Sequence, residues 1–265
     1  MNKKSIVFAG GRELGVKVFA WLNTCEWADV IGIVPLSRDF DPDYYDEMLR
    51  LIEQYHTPVY MIDELSELKY DIGLSVNFNR IIKPEVLEKP TIGFYNVHHS
   101  YNLRLKGRNI ATQAILNSRV SGYYYHGTTL HRIVPELDAG PIVASRACDI
   151  KKNDTAYTLF KRVDGLAYEL IQEWMPRVAL QSIATYETPT KDVYSFKNRD
   201  LPDKQLNMEL DDEVFYDYVR AFDYPGKDPA FFVNNEGNVV PLVLIPRKNE
   251  YESKILIKNH EFYTK

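Results

Sequence analysis

Ser5 to Leu22 reads SIVFAGGRELGVKVFAWL. An apolar run stops at Gly10-Gly11, and Leu14, Val16, Val18, Phe19 and Leu22 then recur at helical spacing. This is a strand, a tight turn and a helix. The same order repeats downstream. Val30–Val34 (VIGIV) is a buried-strand pattern, 42–55 is helical, Val59–Ile62 is a short strand, and Asp71–Val76 (DIGLSV) is another. Pro84 then stands near the start of a short helix, where proline is tolerated. Strands alternating with helices at this spacing predict an α/β domain, Rossmann-like, with a mostly parallel sheet.

Ile92–His98 (IGFYNVH) is a further strand whose tail is polar. In open α/β sheets ligands bind beyond the carboxyl ends of the strands, so chemistry belongs at this tail. Residues 108–117 read as a helix, and 123–134 and 141–150 as two β segments around the turn LDAGP. Asn153-Asp154-Thr155 offers an N-cap to a long helix with Ala156, Phe160, Val163, Ala167, Leu170, Ile171 and Trp174 on one face. Gly165 inside it costs about 1 kcal/mol relative to Ala and is expected to mark a close contact. Pro176 is expected to end or kink that helix. After about residue 185 the chain turns polar, followed by a helix over 211–224 and a β-hairpin in FFVNNEGNVVPLVLI. The expected organisation is a catalytic domain over 1–185 and a small C-terminal appendage over 186–265, built of a helix and a β-hairpin.

The chain has 265 residues, 45% of them hydrophobic and 26% charged, with a net charge of −5. That composition excludes disorder and coiled coil as first readings, and the missing basic surplus argues against nucleic acid as the main partner. Cys25 and Cys148 lie far apart, with no metal-ligand spacing, so reduced thiols and no metal site are expected. No apolar stretch approaches the ~18 residues of a membrane span, so the reading is a cytoplasmic protein without a membrane partner. The apolar hairpin positions Val239, Val240, Leu242, Leu244 and Ile245 suggest a homodimer.

Three sets of residues can carry chemistry. Gly10-Gly11-Arg12-Glu13-Leu14-Gly15 opens the first helix; it either binds a phosphate or serves only a tight turn, and it is not a GxGxxG motif. Asn96 and His98 point to one side of a strand end, where an amide N–H can meet an oxyanion and an imidazole can move a proton. Asp138, in LDAGP, either holds its turn or orients that imidazole. An Asn, a His and an Asp at the open end of an α/β sheet suit acyl transfer to an amine.

Asn96-x-His98, the helix start near Lys106-Gly107-Arg108-Asn109, the stretch Gly127-Thr128-Thr129-Leu130-His131 and the turn Leu137-Asp138-Ala139-Gly140-Pro141 resemble the 10-formyltetrahydrofolate-dependent formyltransferases in order and spacing. Within that family the HHSYN and KGRNI forms look most like the N-formyltransferases of nucleotide-linked amino sugars. The resemblance implies Asn96, His98 and Asp138 as the catalytic residues and N10-formyltetrahydrofolate as co-substrate. It implies a pterin seat at Asn77–Ile82, with Phe78, Arg80, Ile81 and Ile82 as cofactor-binding residues. It also implies a dTDP-linked dideoxy amino sugar as acceptor, feeding surface polysaccharide. His99, Ser100 and Tyr101 are candidates to meet the sugar. Lys106 and Arg108 either hold the diphosphate or are solvated loop charges. His126 and His131 read as sheet residues with satisfied nitrogens. The rival acceptors are glycinamide ribonucleotide and methionyl-tRNA, and a rival of another class is a non-catalytic folate- or nucleotide-binding protein.

Overall fold

In chain order the elements are β1 (Lys4–Gly10), α1 (Arg12–Leu22), β2 (Ala28–Pro35), α2 (Tyr45–Tyr55), β3 (Ile72–Val76), α3 (Pro84–Leu87) and β4 (Gly93–His98). There follow β5 (Leu105–Gly107), α4 (Ile110–Ser121), β6 (Tyr125–Arg132), β7 (Ile142–Asp149) and α5 (Ala156–Ala179). Then come β8 (Tyr194–Phe196), α6 (Asp212–Phe222), β9 (Ala230–Val233), β10 (Val239–Leu242), β11 (Ser253–Ile257) and β12 (His260–Thr264). This computed structural model describes residues 2–265.

Six strands form one sheet in the order β2-β1-β3-β4-β6-β7. The ladders β1–β2, β1–β3 and β3–β4 are parallel, and β4–β6 is antiparallel. The sheet is mainly parallel, as the alternation of strands and helices predicts. Its faces explain the unbroken apolar run of β1. Ile6 and Phe8 enter a core with Leu14, Phe19, Ala167, Leu170 and Ile171, while Val7 and Ala9 enter a second core with Val34, Ile62, Val86 and Phe94. A strand covered on both faces has no solvent side to make polar. Gly10 ends β1 because a Cβ there would lie 2.1 Å from the Val76 carbonyl oxygen of β3.

Two expectations are corrected. Val59–Ile62 is not a strand of its own: Val59 makes one parallel bridge to Ile33, and Ile62–Glu67 is a 3-10 turn. The Met61 N–H donates to the Glu64 carboxylate at 2.6 Å, which starts that turn and ends the extension. Gly165 marks no close approach, since it is exposed on α5 and a Cβ there would meet nothing within 4 Å among the described residues. Pro176 falls in the last turn of α5, which ends at Ala179.

The chain forms two compact units that are discontinuous in sequence, whereas composition suggests one boundary near residue 185. The first runs through Arg104 and adds Gly127–Arg146 and Asp164–Val193; the second takes Leu105–His126, Ala147–Val163 and Tyr194–Lys265. The second unit packs Phe215, Val219 and Phe222 of α6 with Leu242 and Phe262. Asp211 caps α6, its carboxylate accepting from the Glu213 and Val214 N–H groups. β9 and β10 form the expected hairpin. β11 and β12 form a further one, turned by Lys258 and Asn259 at φ +49° and +63°.

Candidate active site

β4 alternates as its period of two requires. Tyr95 and Val97 enter one core, while Asn96 and His98 lie outside that core, partly exposed, at the strand's carboxyl end. Opposite them in the antiparallel ladder stand His131 and Thr129 of β6. The Asn96 amide nitrogen lies 3.2 Å from His131 Nε2, and His131 Nδ1 lies 3.1 Å from the Arg132 carbonyl oxygen. A carbonyl can only accept, so Nδ1 carries the proton; Nε2 then accepts from the amide, which fixes how Asn96 is turned.

His98 Nε2 lies 3.6 Å from Asp138 Oδ2, with both side chains about nine-tenths buried (12% and 10% exposed). That is ion-pair range but longer than a hydrogen bond. The turn carrying Asp138 is tightly held. Asp138 has φ +47°, the Arg132 N–H donates to the Pro141 carbonyl at 2.9 Å, and a Cβ on Gly140 would lie 1.8 Å from the Arg132 oxygen. Only glycine fits at 140. So the sequence LDAGP encodes a turn that puts its carboxylate at the end of β4.

The segment after His98 is pinned by β6. The Thr128 hydroxyl donates to the His98 carbonyl at 3.3 Å, and that of Thr129 to the Ser100 carbonyl at 2.6 Å. Ser100 is fully buried, and Tyr101 is half-buried. His99 Nε2 lies 3.2 Å from Asp164 Oδ1 in α5, again with both side chains nearly buried. Lys106, partly buried in β5, and Arg108, exposed just beyond it, belong to the second unit, where β5 pairs in parallel with β8.

Asn77, just past β3, has φ +54° and a buried side-chain nitrogen without a hydrogen-bond partner among the described residues. Phe78 and Ile82 pack on the second core, Arg80 is exposed, and Ile81 stands 85% exposed. At the first helix the Arg12 N–H donates to Asp41 Oδ2 at 2.6 Å, and Asp41 is buried. The chain's own carboxylate therefore fills the anion position at this helix start, which favours the tight-turn reading of Gly10-Gly11 over phosphate binding.

Residues 47–176 match the family model for formyl transferases. That stretch is a formyl transferase domain. The fold of the chain is also that of several solved structures. It is similar to the N-formyltransferase from Helicobacter canadensis, in complex with folinic acid and dTDP-3-aminofucose, at 22% identity and TM-score 0.77, covering 99% of this chain and 98% of that one. It is similar to WlaRD, a sugar 3N-formyl transferase with dTDP and 5-N-formyl-THF, at 18% identity and TM-score 0.77, covering 100% and 98%. It is similar to a 4-N formyltransferase from Francisella tularensis, at 16% identity and TM-score 0.74, covering 92% and 99%. At these identities the agreement is one of fold.

Within the chain, Asn96, His98 and Asp138 come together at one strand end, while Lys106 and Arg108 sit in the other unit. Sequence reading gave His131 satisfied nitrogens but not the Asn96 contact. The signal was its two-residue spacing from Thr129, which puts both on one side of β6, opposite Asn96 and His98. Asn77, Asp41 and Asp164 carry no local motif.

Proposed function

We propose that this protein moves the formyl group of N10-formyltetrahydrofolate to the amine of a dTDP-linked dideoxy amino sugar, such as dTDP-4-amino-4,6-dideoxyglucose or its 3-amino isomer. One observation carries the reading: an amide, an imidazole and a carboxylate converge at the carboxyl end of β4 inside a formyl transferase domain. The substrate class is supported by the folate and dTDP ligands named for the H. canadensis protein and WlaRD.

In this reading the sugar nitrogen attacks the formyl carbon and the carbonyl oxygen gains the negative charge. An amide nitrogen carries two hydrogens. Asn96 gives one to His131 and offers the other to this oxygen, where a fixed donor is worth most. His98 takes the proton lost by the amine and returns one to N10 as the carbon–nitrogen bond breaks, leaving tetrahydrofolate and a formamide. Asp138 favours the imidazolium formed in between. Asn77 and the exposed Ile81 edge seat the pterin, and Lys106 and Arg108 hold the diphosphate. The product feeds surface polysaccharide, and the enzyme works in the cytoplasm as a homodimer through its C-terminal hairpins, where Val239 and Leu256 are exposed.

The test is a panel of dTDP-3-amino and dTDP-4-amino sugars with N10-formyltetrahydrofolate, alongside glycinamide ribonucleotide and methionyl-tRNA. Mass spectrometry should find a formylated sugar nucleotide. Formylation of either rival acceptor alone, or of none, overturns the proposal.

A further inference from the structure

We infer that Tyr186 and Thr188 are positioning residues, strapping the turn that bears Asp138 to the loop that follows His98. The inference rests on the catalytic reading of His98 and Asp138 above. Residues 186–188 lie beyond α5, in a stretch whose composition says only polar and irregular. Tyr186 nevertheless extends the sheet. Its N–H donates to the Ile142 carbonyl at 3.0 Å and its carbonyl accepts from the Ile142 N–H at 2.8 Å, an antiparallel bridge at the start of β7. Two residues on, the Thr188 hydroxyl donates to the Gly140 carbonyl at 2.8 Å. Gly140 is two residues from Asp138, so the strap grips the far arm of that turn.

The Tyr186 side chain reaches the other half of the site. Its hydroxyl lies 3.0 Å from Asn102 Oδ1 and 3.3 Å from Ser145 Oγ. Ser145 Oγ lies 2.8 Å from Thr129 Oγ1, which donates to the Ser100 carbonyl. Thr129 is the cross-strand neighbour of His98. Asn102 and Leu103 both have positive φ, +51° and +54°, a conformation that needs outside support in residues with a side chain. One short segment thus bonds to the Asp138 turn, to the loop after His98 and, through Ser145, to the strand opposite it. The His98 Nε2–Asp138 Oδ2 distance of 3.6 Å depends on where those two backbones stand, because each side chain is carried by a segment that the strap bonds to.

The experiment compares wild type with Thr188→Ala, Thr188→Ser, Tyr186→Phe and Asp138→Asn, using N10-formyltetrahydrofolate and whichever dTDP-amino sugar of the panel is formylated. Misplacing a catalytic pair by an ångström can cost about a hundredfold, so kcat of Thr188→Ala and Tyr186→Phe should fall roughly ten- to a hundredfold. KM for the folate should stay within about twofold, because the strap's described hydrogen bonds go to Gly140, Ile142, Asn102 and Ser145 rather than to the Asn77–Ile82 loop, and Thr188→Ser should recover most of the loss. Thermal midpoints should stay within about 3 °C of wild type, the scale of one surface hydrogen bond. If Asp138→Asn is crippled while both strap variants keep wild-type kcat, the strap is overturned and the catalytic reading stands. If Asp138→Asn keeps wild-type kcat, or no acceptor is formylated, the catalytic reading itself fails. Loss of kcat in parallel with the thermal midpoint, with no rescue by serine, makes the segment merely structural and also overturns the inference.

Discussion

Asn96 and His131 stand opposite each other across the β4–β6 pair, with 3.2 Å between the amide nitrogen and Nε2. The contact turns an ordinary asparagine into a donor of fixed direction. Replacing His131 with Phe keeps an aromatic ring at a buried position but removes the acceptor. Loss of a whole oxyanion donor costs about 10²–10³ in kcat, so loss of its orientation should cost roughly tenfold, with KM for the folate little changed. Steady-state kinetics decide; kcat within about twofold of wild type removes His131 from the site.

His98→Ala should lower kcat by about 10²–10⁴, the usual worth of a general acid–base group, while circular dichroism and the thermal midpoint stay those of wild type. His98 is at a strand's last position and outside the main hydrophobic core, so the truncation leaves that core intact. A variant retaining more than about half of wild-type kcat gives the proton transfer to another group.

Asp138 sits at φ +47°, a region that Asp and Asn enter more readily than other side chains. Asp138→Asn therefore keeps the turn and removes only the charge. If the carboxylate supports an imidazolium on His98 during proton transfer, kcat should drop by at least about tenfold while the thermal midpoint stays that of wild type. A carboxylate serving only the turn predicts little change in kcat, so one variant separates the two roles.

The strand–helix alternation and the Asn-x-His at a strand tail were legible because both rest on short-range periodicity: alternate β4 residues do face the core. What was not legible depends on long-range pairing. His131 counts only because β6 runs antiparallel to β4 in a register that sets it opposite Asn96. Asp41 meets Arg12 across 29 residues, and Thr188 meets Gly140 across 48. The exchange of segments between the two units likewise has no local signature, since 105–126 and 147–163 differ little in composition from their flanks. The β11–β12 hairpin was missed because its turn is Lys258-Asn259 rather than Asn-Gly, although both residues adopt the positive φ such a turn needs.

Lys106 and Arg108 test whether the second unit holds the diphosphate. A charge-assisted hydrogen bond is worth about 1.5–3 kcal/mol, so Lys106→Ala or Arg108→Ala should raise KM for the sugar nucleotide roughly ten- to a hundredfold and leave that for the folate alone. Unchanged values in both variants return the pair to the status of solvated charges.

Asp154 gives a prediction about stability rather than catalysis. Burial alone would push its carboxyl upward, but it is outweighed by hydrogen bonds from Arg162, the Lys151 N–H and Thr158 and by the Arg162 charge, so the group is held below the usual carboxylate range. Arg162 grips it with two nitrogens, at 2.8 and 2.5 Å. A depressed folded-state pKa means the contribution is fully present above the unfolded value of about 3.9 and is lost as pH falls through the lower folded value. Asp154→Asn removes the charge at every pH, so at neutral pH the variant should be less stable by about 1.5–3 kcal/mol, the worth of a hydrogen-bonded charged pair. From about pH 7 to pH 5 the gap between the two proteins should be flat, and it should close only below about pH 4, when wild-type Asp154 itself takes up a proton. Urea unfolding across that range measures it. A gap that closes near pH 6 would point to a histidine instead, and a gap absent at pH 7 would mean that Arg162 finds equal company in the amide.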